Sequence, residues 1–197
     1  MMNNKASDEM FRYLERFAMA QQNQIRTNPL EAAKHFEQDI EKFDESGKIL
    51  EHPNGELETT KEGISAWREA LAHLKQRRPL EKLEWSDALG RSALEHCYKS
   101  CSKGLTAHKG GDGSEPWDRI NKYGKWGGSV AENLSFGDER GSEMIWSLYV
   151  DDGVPSRSHR NTMDHPMLKY VGMAICPHNS KYKQMLVIDY AEEITEN

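Results

Sequence analysis

The amino-acid sequence predicts an α/β fold, a three-layer α-β-α sandwich in which a small, mainly antiparallel sheet lies between flanking helices. Two observations carry this prediction. Apolar residues recur every three or four positions through most of the first half of the chain, which is the periodicity of amphipathic helices. Alternating and continuous apolar runs, typical of strands, come only in the second half. Helices followed by late strands are expected to pack as layers on an antiparallel sheet.

The composition fits one folded domain. The chain has 197 residues, enough to bury a sizeable core, and five Trp, seven Tyr and five Phe argue against disorder. We therefore predict a single domain over residues 1–197, with its core at about 20–191. The net charge of −6, without a basic stripe, argues against nucleic acid as a partner. Neither a membrane-length apolar run nor a signal-peptide pattern occurs, so we expect no transmembrane segment and no signal peptide in this chain.

Two amphipathic helices open the chain. The first runs from Ser7 to about Arg26, and its apolar positions keep helical spacing. The second starts at Asn28, which has the side chain of a helix N-cap. Pro29 then occupies the first turn, where its missing N–H costs nothing. Residues 45–58, which follow, contain Gly, Pro and Asn and are predicted to form a polar loop, the most mobile insert of the domain.

Two more helices follow that insert. Thr59 and Glu62 have the spacing of a capping box for the third helix. Ser86 is predicted to cap the fourth, whose buried row contains Cys97 and Cys101. Because these cysteines lie one turn apart on an apolar face, buried thiols are favoured over a metal or redox site. Three cysteines in all are too few for a disulfide scaffold.

The most informative stretch is a strand at residues 130–136. Strict alternation places Glu132 on the same face as three apolar side chains, so it is expected to point at a core or a cleft wall. An ionised carboxylate in such a place needs a cation, a metal or a hydrogen-bond donor. His108, in an irregular Gly-rich stretch, and His159, further along the chain, are the two candidate partners.

The remaining elements are predicted as follows. A helix from about Glu139 to Val150 carries its inward face forward to Asp151 and Asp152. Ser156 or Ser158 caps a short helix that bears His159, and two strands at 169–176 and 183–191 end the fold. A serine-hydrolase interpretation of these serines fails because the chain has no Gly-x-Ser-x-Gly elbow.

An ordered set of motifs resembles the CAP superfamily, also called SCP-like, which includes cysteine-rich secretory proteins, venom antigens and pathogenesis-related proteins. The resemblance is strongest with its cysteine-poor bacterial and protist branch. It is carried, in chain order, by Arg26-Thr-Asn-Pro29, Leu83-Glu-Trp-Ser-Asp-Ala-Leu89, His108 before Gly110, Ala131-Glu-Asn-Leu134, Asp151-Asp-Gly-Val-Pro-Ser-Arg-Ser-His-Arg160 and Tyr170-Val-Gly172.

The resemblance implies a central cleft lined by two histidines and two acidic residues. His108, Glu132 and His159 match three of these positions, whereas the fourth, usually glutamate, is here Asp151 or Asp152. His108 and His159 are then the expected ligands of Zn²⁺ or another divalent cation. A structural ion-paired network without metal is the alternative.

Two functions follow from the resemblance. The first is a non-enzymatic binding module with a lipid, sterol or protein ligand near the cleft, peripheral contact with membranes and an extracellular location. The second is a zinc-dependent hydrolase or peptidase in which Glu132 is the general base for a metal-bound water.

Overall fold

The computed structural model of the chain describes residues 2–137 and 141–197. Within these residues the helices and strands alternate irregularly, with helices predominating in the first half as predicted. The helices are α1 Met2–Thr27, α2 Pro29–Ile40, α3 Ile64–Gln76, α4 Asp87–Cys101, α5 Pro116–Tyr123, α6 Gly141–Val150 and α7 Ser158–Met163. The strands are β1 Ile49–Glu51, β2 Leu57–Thr59, β3 Glu84–Trp85, β4 Gly124–Gly137, β5 Tyr170–Pro177 and β6 Gln184–Glu196.

Four strands form the central sheet in the order β3-β5-β6-β4. β6 pairs antiparallel with both β4 and β5, and only the two-residue β3 runs parallel to its neighbour. The mainly antiparallel sheet is therefore confirmed, although the sequence did not reveal β3. β4 lies at one edge, and its pairing with β6 is interrupted between Gly127 and Val130.

Helices cover both faces of this sheet, which confirms the three-layer sandwich. Successive strand residues point to opposite faces, so β5 contributes Met173 to one core and Ala174 to the other. The larger core joins α1, α2, α3 and α6 to one face. The smaller core joins α4 to the other face, where Cys97, Cys101 and Cys176 are all buried.

Three helix starts and ends agree with their sequence signals. The Asn28 side chain accepts a hydrogen bond from the Glu31 backbone N–H at 3.4 Å, as an N-cap does. Ser86 caps α4 in the same way, through the Leu89 N–H. The helix before Asp151 ends at Val150 as expected, whereas Glu139, its predicted start, lies outside the described residues.

The segment 45–58 differs from the prediction, because it is not a loop throughout. β1 and β2 pair antiparallel as a hairpin around Gly55, whose φ of +82° is readily adopted only by glycine. The capping box at Thr59 and Glu62 is also wrong. Thr59 ends β2, and α3 begins after Gly63 without a side-chain cap.

No helix among the described residues is long and apolar enough to cross a membrane.

Candidate functional site

The first half of the site is a buried carboxylate between a histidine and an arginine. Glu132, on β4, is only 1% exposed, which confirms that it points inward. His108 Nδ1 lies 2.8 Å from its Oε1, and Arg119 on α5 donates to its Oε2 at 2.5 Å. Because a carboxylate only accepts, Nδ1 is the protonated nitrogen of His108. The His108 side chain is 50% exposed, so this pair joins the interior to the surface.

The charge of Glu132 is set by competing effects. Burial raises its pKa, but the hydrogen bond from His108 and the positive charge of Arg119 outweigh burial, and the net pKa is lowered. Glu132 is therefore ionised at neutral pH, with each carboxylate oxygen already accepting a hydrogen bond.

Behind Glu132 lies a second carboxyl group, Asp189 on β6. The two are register partners on neighbouring strands, and Asp189 is fully buried. Among the described residues neither of its oxygens has a hydrogen bond of normal geometry, although the Ser92 and Glu132 side chains lie close enough to affect its pKa. Burial raises the pKa of Asp189 well above its usual value, and the negative charge of Glu132 raises it further. Asp189 is thus the protonated member of a buried acid pair and Glu132 the ionised one.

The second half of the site is His159 with Asp151. Asp151 Oδ1 lies 2.6 Å from His159 Nδ1, while its Oδ2 accepts the backbone N–H of His159 at 2.9 Å. Asp151 is 1% exposed and His159 is 24% exposed. The carboxylate therefore caps α7, a role that the sequence had given to Ser156 or Ser158. The actual N-cap position, Arg157, has a left-handed backbone and no capping hydrogen bond from its own side chain.

Two arginines fasten the segment that carries His159. Arg157 forms bidentate contacts with Glu62 and Glu69, before and within α3. Arg160 is 3% exposed and donates to the carbonyls of Tyr149 and Val150 at the end of α6. Since these carbonyls have no helical partner, the guanidinium completes the helix end.

The backbone of this segment is strained where it turns. Asp151 and Arg157 have φ values of +60° and +51°, the two positive values among the described non-glycine residues. Such conformations persist where the surrounding contacts over-determine them, and they cluster at functional sites.

The two candidates for the fourth acidic position are separated by the structure. Asp151 meets His159, whereas Asp152 accepts the backbone N–H groups of Lys61 and Glu62 at 2.6 and 2.7 Å. Asp152 therefore holds the approach to α3 and takes the place of the predicted capping box.

Both histidines are anchored to adjacent residues of β4. Glu132 holds the His108 ring, and the Asn133 side chain donates to the His159 carbonyl at 3.1 Å. Among the described residues, neither histidine–acid pair has a third His, Cys, Asp or Glu with a ligand atom within 4.8 Å of both members. Nor does any described residue hydrogen-bond to Nε2 of either imidazole.

A stripe of α4 supports His108 in a way that the sequence analysis missed. Ser92, His96 and Ser100 are spaced by four residues and are all fully buried. His96 Nε2 lies 3.1 Å from the carbonyl of Ala107, next to His108, and burial is the main cause that lowers the pKa of His96. Polar residues at helical spacing beside an apolar row were the available signal. For Asp189, the signal was a lone acid within the apolar run from Met185 to Ala191 of β6.

A pocket of about 490 Å³ opens elsewhere in the chain, and none of His108, Glu132, Asp151 and His159 lines it. Its walls come from α2, α3, α6, the β1–β2 hairpin and the end of β4. The apolar lining residues include Leu50, Trp67, Phe136, Met144, Trp146 and Val150. His35, His52 and Glu58 add ionisable groups, and Asp152 borders the pocket as well. The His35 ring stacks on Trp146 with centroids 4.2 Å apart.

The sandwich and its paired histidines and acids are the arrangement expected of the CAP superfamily. A sequence model of the CAP family, described as the cysteine-rich secretory protein family, matches residues 12–190, and the chain belongs to this family. No curated protein matches the chain significantly.

Among solved structures, the chain is similar to an outer surface protein of Borrelia burgdorferi, with 21% identity and a TM-score of 0.48 over 65% of this chain and 89% of that one. It is also similar to an extracellular protein of Bacillus anthracis str. Ames that contains an SCP domain. That match has 12% identity and a TM-score of 0.47, and covers 72% of this chain and 44% of the other.

Proposed function

We propose that this chain is a binding module whose cleft holds a divalent cation, of which Zn²⁺ is the best example, through the imidazoles of His108 and His159. One observation carries the proposal. A buried carboxylate holds Nδ1 of each imidazole, while Nε2 receives no hydrogen bond from the described residues. Metal-binding histidines usually donate their second ring N–H to a carboxylate in this manner, which fixes the ring and makes the free nitrogen more basic.

The donor chemistry fits zinc. Zn²⁺ accepts imidazole nitrogen, and water completes its coordination where the protein supplies fewer than four ligands. A cation bound to both rings would link the loop before α5 to the segment that carries α7, through their common anchor on β4. The bound cation would cross-link these two segments and would act as a Lewis acid.

The competing function, a zinc-dependent hydrolase with Glu132 as general base, has less support. Both oxygens of Glu132 already accept hydrogen bonds, and its pKa is lowered, which weakens it as a base. If Glu132→Gln abolished a zinc-dependent peptidase activity of the folded chain, the hydrolase would replace the binding module as the better account.

Calorimetric titration with Zn²⁺ tests the cation site. His108→Ala and His159→Ala should each lose one equivalent of bound zinc, because each removes one imidazole. His73→Ala is the matched control, since His73 pairs with Asp164 at 2.9 Å and not with either acid of the cleft. Unchanged zinc stoichiometry in both cleft variants would contradict the proposal.

The pocket supports a second binding activity, toward an amphipathic lipid or sterol. Its volume of about 490 Å³ lies in the usual range of ligand pockets, and its aromatic walls with a few ionisable groups suit a molecule with an apolar body and a polar end.

Binding of a fluorescent fatty acid or sterol tests this activity. Leu57→Glu adds a charge to the pocket wall, where Leu57 is 68% exposed, and should weaken binding at least several-fold at little cost to the fold. Leu30→Glu, at a comparably exposed leucine of α2 outside the pocket, should not weaken it. Equal effects of the two substitutions would exclude the pocket as the lipid site.

A further inference from the structure

The three cysteines of the chain meet at one point in the smaller core. Cys97 and Cys101 lie one turn apart on α4, and Cys176 lies near the end of β5. Their Cα atoms are 6.0 and 7.0 Å from that of Cys176. The three sulfur atoms lie within 4.8 Å of one another, the one such group of potential metal ligands among the described residues.

Oxidation cannot use all three sulfurs at once. Cys97 and Cys176 form a disulfide in the structure, and the Cys101 sulfur contacts that of Cys176 as well, but a sulfur atom takes part in only one disulfide. An oxidised chain would therefore have one disulfide and one remaining thiol. A reduced chain has three thiols in one place, which is the donor set of a thiophilic metal.

The cluster is buried but within reach of solvent. Cys97 is 0%, Cys176 3% and Cys101 7% exposed. An open groove reaches Cys176 and Cys101. Its walls also include Tyr98, Ser102 and Asn179. His178 also borders the groove, yet its Nε2 lies 2.9 Å from the Leu105 carbonyl and its Nδ1 2.8 Å from the Ser180 hydroxyl. Both ring nitrogens of His178 are thus engaged, and the groove leaves room for a water molecule as fourth ligand.

We propose that Cys97, Cys101 and Cys176 form, in the reduced chain, a second metal site that binds Zn²⁺ through three thiolates and one solvent molecule. Three S–H protons pass to solvent as three Zn–S bonds form, with no change of oxidation state. Three protein ligands and one exchangeable position is a known zinc arrangement. The charge of the site favours a divalent ion, since three thiolates with Zn²⁺ leave a net charge of −1, whereas a monovalent ion would leave −2 in a buried place.

Cobalt(II) substitution tests this site separately from the histidine cleft. Thiolate-to-cobalt charge transfer gives intense near-ultraviolet absorption that imidazole and carboxylate ligands do not give. The anaerobically reduced chain should develop this absorption at one cobalt per chain and lose it when Zn²⁺ is added. Cys101→Ser and Cys176→Ser should each abolish it, while His108→Ala and His159→Ala should leave it unchanged.

A measurement on the unaltered chain guards against variants that fail to fold. Zn²⁺ should slow the reaction of all three thiols with a thiol reagent under native conditions by at least tenfold. The site would be excluded if all three thiols react with the reagent but cobalt gives no charge-transfer absorption. It would also be excluded if the absorption survives in Cys176→Ser, or if zinc leaves the thiol reactivity unchanged. Failure of the histidine variants to change zinc stoichiometry would affect only the cleft proposal.

Discussion

At the scale of single residues, Asp189 has the least ordinary environment in the site. It is fully buried next to another carboxyl group, and its neighbours on β6 are apolar. Burial and the Glu132 charge both raise its pKa, so the folded chain keeps its proton to a higher pH than the unfolded chain does. The cost of an isolated buried anion is avoided because Asp189 stays neutral.

This difference makes stability depend on pH. Above about pH 4, the unfolded chain loses the Asp189 proton while the folded chain retains it, so the stability contribution of Asp189 falls as pH rises toward its folded pKa. Glu132 acts in the opposite direction, because its lowered pKa stabilises the folded state above about pH 4.3 and this is lost as pH falls.

Asp189→Asn should remove the pH dependence of stability that comes from Asp189 and leave the contribution of Glu132. The amide cannot ionise, so the free energy of unfolding of the variant should rise relative to the original chain as pH increases above about 4, by up to about 1.4 kcal/mol per pH unit until the folded pKa is passed. Denaturant unfolding at a series of pH values measures this. Asp87→Asn, at an exposed aspartate of α4, is the control. Parallel stability curves for Asp189→Asn and the original chain would refute the protonated state.

Single residues also show how much of the site could be predicted from the sequence. Alternation placed Glu132 inward, because side-chain direction in a strand follows directly from position, but it left both His108 and His159 as candidate partners. In the structure Glu132 pairs with His108, and His159 pairs with Asp151. The partnership of Asp151 with His159 was only one of two options. The choice depends on a left-handed backbone at Asp151, which the sequence of a non-glycine residue does not signal. Asp189 was missed because it acts across the sheet, from a strand that carries no other site residue.

At the scale of elements, helices with strong local signals were predicted well. Asn28 and Ser86 cap α2 and α4 as expected, since an N-cap is a contact over three residues. Thr59 and Glu62 showed the same local pattern, yet distant residues override it. Arg157 binds the Glu62 carboxylate, and the Asp152 carboxylate, 91 and 90 residues away, accepts the backbone N–H groups of Lys61 and Glu62.

Contacts with distant residues also determine the structure of the connection between α6 and α7. Asp151 and Asp152 were expected to line the cleft, and Ser156 or Ser158 to cap the next helix. In the structure, Arg157 and Arg160 tie the connection to α3 and to the end of α6. The connection is therefore a fixed support for His159, held by charge-assisted hydrogen bonds that are stronger than neutral ones.

At the scale of the whole molecule, two sets of potential metal ligands lie at different places along the sheet. The histidine–acid pairs gather at β4, an edge strand of the central sheet. The cysteines lie in the core between α4 and the sheet. α4 serves both, since His96 supports the loop that carries His108, and Cys97 and Cys101 follow on the same helix. The periodicity of the apolar residues predicted the layered fold. It did not predict that site residues from different layers would lie close together.

The central claim is that buried carboxylates hold Nδ1 of both cleft imidazoles and leave Nε2 of each for one shared cation. Long-range ¹H–¹⁵N NMR of the histidine rings tests it most directly, before and after one equivalent of Zn²⁺ is added. The account predicts that His108 and His159 both carry their proton on Nδ1, and that zinc shifts the Nε2 resonances of both rings together. A proton on Nε2 of either ring, or zinc-induced shifts confined to other histidines, would contradict it.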